Sequence, residues 1–154
     1  RTPGPTRPIS LSDTASKLFA LAVNFPLAQV AQLTFHPSQR GLVAGRSITD
    51  NVIESEGFGQ SYAIAEAEDP AILRFDIEAA FPSLALQWLF VVLCRMRVPS
   101  FIISSIKELY RGGLAEVVLM GHRWGSFPIQ SGIRQGCPAS GTLFALAIDR
   151  ASAT

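Results

Sequence analysis

The chain has 154 residues and a mass of 16.6 kDa, which is the size of one compact domain and excludes a multidomain enzyme. Apolar residues make up 48% and charged residues only 16%, with a mean hydropathy of +0.29, so the composition also excludes intrinsic disorder. The formal net charge of +1 creates no strong global field, and any site for an anion must therefore be local.

The first half of the chain is predicted to be helical. A proline-rich arm over residues 1–8 should be extended, because each proline fixes its own φ and disfavours helix at its predecessor. Ser12 or Asp13 can then cap a helix, which Pro26 should kink or end. The uncharged run 18–39 is long enough to span a bilayer, but the polar residues and the proline within it argue against that. We expect no membrane contact.

A loop follows over residues 35–46, and its stretch Gln39–Ser47 places two arginines and two glycines before a helix N-terminus. Such a loop can bind an anion, or it can be an ordinary polar connection. Ser47–Asp50 has the pattern of a capping box and predicts a second helix. Gly57 and Gly59 should end that helix.

The second half alternates strand and helix patterns. The predicted elements are a buried strand at Ala71–Ile77, a helix at Leu84–Met96 capped by Ser83, a helix opened by Pro99 and Ser100 and ended by Gly112 and Gly113, a hairpin of Leu114–Met120 and Trp124–Ile129, and a helix that begins near Pro138. This order predicts an α+β fold, with a small antiparallel sheet covered by helices on one side.

Asp76 lies at the exit of the predicted strand and is the first candidate for chemistry. A carboxylate at a strand end can hold a hard divalent cation, and the backbone carbonyl of Ile77 can share that task. A carboxylate in this place can equally form a turn or cap a helix. The residues alone leave both alternatives open.

The segment Gly132–Ser140, a loop that leads into a helix, is the second candidate for chemistry. Its glycines permit close approach of the backbone to a flat ligand, and Arg134 and Gln135 offer hydrogen-bond donors. It can also be an ordinary loop before a helix, with Pro138 in the first turn.

Four blocks in their order along the chain resemble a reverse transcriptase domain, of the branch found in non-LTR (LINE-like) retrotransposons and group II introns. The blocks are Arg7–Leu11, Gln39–Asn51, Phe75–Asp76 with Ala80–Phe81, and Gly132–Pro138 with Leu143–Phe144. The resemblance implies a right-hand polymerase fold that copies RNA into DNA by two-metal catalysis. Residues 1–70 would belong to the fingers and residues 71–154 to the front of the palm.

The resemblance also implies roles for single residues. Asp76 would be a catalytic ligand of Mg²⁺ or Mn²⁺, with the carbonyl of Ile77 assisting. Phe81 would lie under the incoming sugar and reject a 2′-hydroxyl by its bulk.

Further residues would face the nucleotide and the nucleic acid. Gln135 and Gly136 would pack against the incoming nucleotide and the template base, and Arg7 would reach for the triphosphate. Arg46 and Arg134 would contact the template or the nucleotide. The implied partners are therefore an RNA template, a DNA or RNA primer and deoxynucleoside triphosphates.

The sequence departs from the family pattern in what it does not contain. The family's other two catalytic acids lie in an Ala-Asp-Asp hairpin, which is not within these residues, and the thumb is not within them either. Asp149 falls on the predicted last helix and is no substitute. Ala139 and Gly141 stand where relatives commonly carry Leu and Pro. The chain reads as a fragment truncated before that hairpin, and we expect it to be inactive alone.

Two other classes of function stay open. One is a non-catalytic module, such as a decayed retroelement copy, that keeps the polymerase shape to bind RNA or a protein. The other is an apolar membrane or scaffold protein, which only the run 18–39 supports. Cys94 and Cys137 lack the spacing of a metal site and favour a reducing compartment, and no cleavable signal is visible. We expect a protein that is not secreted, in the nucleus or cytoplasm if its source is eukaryotic.

Overall fold

The computed structural model describes residues 11–65 and 71–151, and this part of the chain forms six helices and one β-hairpin. The elements are α1 (Thr14–Thr34), α2 (Ile48–Ile64), α3 (Ala80–Ser83), α4 (Leu86–Arg95), α5 (Ser100–Tyr110), β1 (Leu114–Leu119), β2 (His122–Pro128) and α6 (Ser140–Ala151). Predictions for residues 1–10, including the extended arm and the role of Arg7, lie outside the described residues.

Helix α6 is at the centre of the hydrophobic core. Its fully buried residues are Leu143, Ala145, Leu146 and Ala147. Helices α1 and α4 pack on it, and α5 packs on both of them. The indole nitrogen of Trp88 donates a hydrogen bond to the carbonyl of Ala147 at 3.0 Å, which fixes α4 against α6. Burial of apolar surface between these helices is the main stabilising contribution to the fold.

Helix α1 begins as predicted, because the carboxylate of Asp13 accepts a hydrogen bond from the backbone of Ser16 at 2.8 Å. The helix does not end at Pro26 but continues through it to Thr34. Pro26 is exposed, whereas Val23 and Leu27 on either side are buried. Core packing therefore holds both halves of the helix despite the hydrogen bond that proline removes.

Helix α2 also begins as predicted, since the hydroxyl of Ser47 accepts a hydrogen bond from the backbone of Thr49 at 3.2 Å. The expected end at Gly57 and Gly59 is wrong, because the helix continues to Ile64. Each glycine weakens a helix by only about 1 kcal/mol, which does not stop one by itself. None of the residues of α2 is buried.

The buried strand predicted at Ala71–Ile77 is also wrong. The segment is irregular and has no partner strand within the described part of the chain, and Phe75 is 90% exposed. A strand needs a neighbour for its N–H and C=O groups, so an apolar run alone does not establish one. Ser83 is not the cap of the following helix, because α4 begins after Ala85 and has no side-chain cap.

Strands β1 and β2 form the predicted hairpin, with Leu114 paired antiparallel to Pro128. The α+β class is confirmed, but every strand residue except Ala115 is exposed. The expected cover of helices over the sheet is therefore wrong. Helix α6 occupies the place predicted for the last helix, and Asp149 lies on it. Among the helices in the described ranges, none has the length and apolar character needed to cross a membrane.

Candidate active site

Two of the motif segments lie side by side. The backbone N–H of Gly132 donates to the carbonyl of Leu84 at 3.0 Å, and that of Ile133 donates to the carbonyl of Phe81 at 2.9 Å. Helices α4 and α5 and the hairpin separate these segments in sequence. The two hydrogen bonds join the turn around Phe81 to the loop that carries Gln135.

The same two segments touch through their main chains. Gly132 has a φ of +82°, and a Cβ built there would lie 2.5 Å from the carbonyl oxygen of Pro82 and 2.7 Å from its Cα. Main-chain atoms cannot rotate out of the way as a side chain can. The sequence alone left open whether the glycines of this loop admit a ligand or belong to an ordinary loop; at position 132 the glycine admits the backbone of Pro82.

The ring of Phe81 is held from the core side. Phe144 of α6 meets it edge to face, with ring centroids 5.0 Å apart and an interplanar angle of 82°. This is the arrangement that the aromatic quadrupole favours. Phe81 is therefore attached to the central helix through its ring and to the loop before that helix through the hydrogen bond from Ile133.

The second half of the loop is attached to the start of α6. The hydroxyl of Ser140 donates to the carbonyl of Arg134 at 2.7 Å, and the backbone N–H of Cys137 donates to the same oxygen at 3.3 Å. Between these anchors, Gln135 is half-buried and Gly136 is exposed with a φ of +89°. Gln135 and Gly136, both predicted to bind the nucleotide, therefore lie in a loop that hydrogen bonds hold at both ends.

The side chain of Arg134 connects this loop to the end of α5. Its guanidinium carbon lies 5.7 Å from the ring centroid of Tyr110, within the range of a cation–π contact. A Cβ on Gly113 would lie 2.8 Å from a terminal nitrogen of Arg134, so glycine makes room for the arginine there. Burial raises the pKa of Tyr110.

Arg46 binds the chain itself. Its two terminal nitrogens donate to four backbone carbonyls at 2.6 to 3.1 Å, those of Gln32, Phe35, His36 and Gln39. The C-terminal carbonyls of a helix have no partner within the helix. Arg46 donates to one of them, that of Gln32 in α1, to that of the cap residue Phe35, and to two in the loop that follows. All four N–H groups of the terminal nitrogens are used in this way.

Arg40, the other arginine of that loop, is also paired within the chain. It donates to the two carboxylate oxygens of Glu54 at 2.6 and 2.9 Å and to the side-chain oxygen of Asn51 at 2.7 Å. This pairing lowers the pKa of Glu54. Of the two alternatives for Gln39–Ser47, the contacts favour the polar connection over the anion site.

Asp76 and Ile77 are exposed and precede Ala79, whose φ of +51° is in the left-handed region that side chains disfavour. The carbonyl of Ala79 accepts a hydrogen bond from Ser83 at 2.9 Å, so a tight turn separates Asp76 from the ring of Phe81. Within residues 11–65 and 71–151, no three His, Cys, Asp or Glu side chains form a group that could hold a metal ion. The oxygens of Asp76 suit a hard divalent cation, but they form only part of a ligand set.

Sequence reasoning gave no role to Ser140 or Phe144. A serine at a loop–helix junction commonly bonds nearby backbone groups, which is a signal for the bond from Ser140. Phe144 follows one helical turn later and therefore faces the same side of α6. The spacing therefore places Phe144 on the loop side of α6, but no sequence signal identifies Phe81 as its partner.

Comparison with known proteins identifies the family. The model of the family described as reverse transcriptase (RNA-dependent DNA polymerase) matches residues 1–154. The chain is also 32% identical over 143 residues to the Transposon TX1 uncharacterized 149 kDa protein of Xenopus laevis. That alignment covers 93% of this chain but only 11% of the Xenopus protein. The chain therefore belongs to the reverse transcriptase family.

Proposed function

We propose that this chain forms the fingers, over residues 1–70, and the front of the palm, over residues 71–154, of an RNA-directed DNA polymerase from a non-LTR retroelement. The observation that carries the proposal is the pair of hydrogen bonds between the Phe81 turn and the loop that begins at Gly132. These segments match the family motifs that surround the incoming nucleotide. Their contact supports a pocket for deoxynucleoside triphosphates, served by an RNA template and a DNA or RNA primer.

Phe81 is the residue that selects the sugar in this proposal. Its ring is braced by the ring of Phe144, so it cannot easily retreat from an added 2′-hydroxyl. Gln135 and Gly136 face the nucleotide and the template base from the other segment. The positive φ and missing side chain of Gly136 leave space for a flat base.

Asp76 and the carbonyl of Ile77 would provide oxygen ligands for Mg²⁺ or Mn²⁺ in a two-metal nucleotidyl transfer. A bound divalent ion neutralises triphosphate charge and makes the primer hydroxyl a better nucleophile. The 154 residues contain no Asp-Asp pair, and one aspartate does not complete the ligand sets of two ions. This chain alone is therefore expected not to polymerise. The activity tests use a polymerase in which these 154 residues are joined to an Asp-Asp hairpin and a thumb, called the longer polymerase below.

Arg46 and Arg134 act by positioning in this proposal. Arg46 fixes the end of α1 to the loop before α2 through carbonyls. Arg134 fixes the loop that carries Gln135 to the end of α5, where it contacts the ring of Tyr110. Arg7 is the remaining candidate for contact with the triphosphate.

The test of the proposed function is Phe81→Ala in the longer polymerase. Primer extension gives the ratio of kcat/KM for a deoxynucleotide to that for the matching ribonucleotide. We expect this ratio to fall by about tenfold or more, since a pocket that rejects one hydroxyl by shape discriminates by about 100-fold. Phe101→Ala is the control, because Phe101 is 67% exposed on α5. If the ratio is the same in both variants, Phe81 does not select the sugar.

A further inference from the structure

We infer that Gly132 is a positioning residue for nucleotide selection. By admitting the main chain of Pro82, it sets the separation between Phe81 and the loop that carries Gln135. The inference rests on the proposed function and extends it to a residue that contacts neither nucleotide nor metal.

The steric basis is the space that a side chain would need. A Cβ on Gly132 would lie 2.5, 2.7 and 2.9 Å from the carbonyl oxygen, Cα and carbonyl carbon of Pro82. Contacts of a Cβ are essentially never shorter than 3.0 Å, so the two main chains would have to separate by about 0.5 Å or more. The fixed φ of Pro82 leaves only its ψ to adjust, which limits how much of this change the residue can absorb locally.

Two hydrogen bonds carry the displacement to the pocket. They run from Gly132 to the carbonyl of Leu84 and from Ile133 to the carbonyl of Phe81, on both sides of the crowded contact. If the main chains at Gly132 and Pro82 separate, either these two hydrogen bonds lengthen or the turn that carries Phe81 shifts. The position of Phe81 therefore depends on residue 132 being small.

The loop itself is less free to move. The carbonyl of Arg134 accepts the 2.7 Å hydrogen bond from Ser140 at the start of the central helix α6. Since this anchor holds the loop side and no residue of α3 is buried, the turn that carries Phe81 takes up the displacement. The ring then no longer stands at the distance from Gln135 that excludes a ribonucleotide.

The chain offers a matched control for backbone strain. Gly121, in the hairpin turn, has a φ of +78°, close to the +82° of Gly132, but a Cβ there meets nothing within 4 Å. Gly121→Ala therefore introduces the same unfavourable φ without a collision. Comparison with Gly132→Ala isolates the contact with Pro82.

The first experiment measures the deoxy-to-ribo ratio of kcat/KM in the longer polymerase carrying Gly132→Ala, Gly121→Ala or Phe81→Ala. We expect Gly132→Ala to lower the ratio by about tenfold or more, because a misplacement of about 1 Å at a reacting site can cost 100-fold, and Gly121→Ala to leave it unchanged. If Gly132→Ala behaves like Gly121→Ala while Phe81→Ala lowers the ratio, the inference is overturned and the proposed function stands. If Phe81→Ala leaves the ratio unchanged, the proposed function fails, and the selection role of Gly132 fails with it.

A second measurement tests the contact without catalysis. Hydrogen exchange of the 154-residue chain reports the amides of Gly132 and Ile133, which are donors in the two bonds. We expect faster exchange at position 133 in Gly132→Ala than in Gly121→Ala. Equal protection in the two variants would overturn the inference even if the polymerase variants lose activity through poor folding.

Discussion

The rings of Phe81 and Phe144 stand edge to face with their centroids 5.0 Å apart. Phe81 lies in α3, a helix of four residues with none buried, whereas Phe144 lies on the central helix α6. The contact connects a surface turn to the core. We expect it to stabilise the turn as well as to orient the ring.

A double-mutant cycle tests this contact directly. Phe81→Leu and Phe144→Leu should each destabilise the 154-residue chain, and the pair should show a coupling energy of about 0.5–1.5 kcal/mol, as edge-to-face pairs do. Urea unfolding followed by circular dichroism gives the four free energies. Phe81→Leu combined with Phe101→Leu is the control, and its effects should add within about 0.5 kcal/mol. Additive effects for both pairs would show that the rings do not interact.

Arg46 provides a second prediction, on stability. Arg46→Ala removes four hydrogen bonds to carbonyls in the last turn of α1 and the loop after it, of which, among the described residues, only the carbonyl of His36 keeps another donor, the N–H of Gln39. The variant should lower the free energy of unfolding by about 2 kcal/mol or more. Arg46→Lys should recover little, because an ammonium is a single point and cannot span four acceptors as a planar guanidinium does.

The control for Arg46 is Arg111→Ala. Arg111 has a side chain 77% exposed and pairs with Glu108 at 3.3 Å on the same surface. Such pairs contribute about 0–1 kcal/mol, so this variant should unfold almost like the parent chain. Equal losses for Arg46→Ala and Arg111→Ala would contradict the role of Arg46 as a connector of α1.

The sequence predicts the parts of the fold that depend on residues close together along the chain. The caps at Asp13 and Ser47 and the hairpin around Gly121 depend on neighbouring residues, and sequence reasoning found them. The strand expected at Ala71–Ile77 depends on a partner strand, which a local pattern does not reveal. The continuation of α1 through Pro26 likewise depends on packing against the core.

The candidate site divides in the same way. The motif residues were visible in sequence, because their types and order resemble a family. The contact of Gly132 with Pro82 was not, since it joins two main chains brought together by the fold. The partners of Arg46 were hidden for a similar reason, because a guanidinium suits phosphate and backbone carbonyls equally well.

Acid should weaken the connection between Arg40 and Glu54. The guanidinium of Arg40 lowers the pKa of Glu54 below its ordinary value of 4.5, so the folded state favours the ionised carboxylate. The stabilisation is fully present above pH 4.5 and is lost as the pH falls through the lowered pKa. Thermal melts of the 154-residue chain between pH 7 and about 3 should therefore show a smaller decrease of Tm in Glu54→Gln than in the parent. Glu56→Gln, at an exposed acid of the same helix, should follow the parent, and identical profiles for all three chains would contradict the prediction.

The proposed role of Asp76 as a metal ligand predicts a large loss of activity with little loss of stability. In the longer polymerase, Asp76→Asn should reduce metal-dependent primer extension by about three orders of magnitude or more, because several kcal/mol of transition-state stabilisation depend on a charged ligand. The same substitution in the 154-residue chain should change the free energy of unfolding by no more than about 0.5 kcal/mol, since the side chain is exposed. Glu78→Gln, at an exposed acid two residues later, is the matched control and should keep activity within a few-fold. Equal activity of the Asp76→Asn and Glu78→Gln polymerases would exclude Asp76 as a metal ligand, whereas a large loss of stability in Asp76→Asn would assign it a structural role instead.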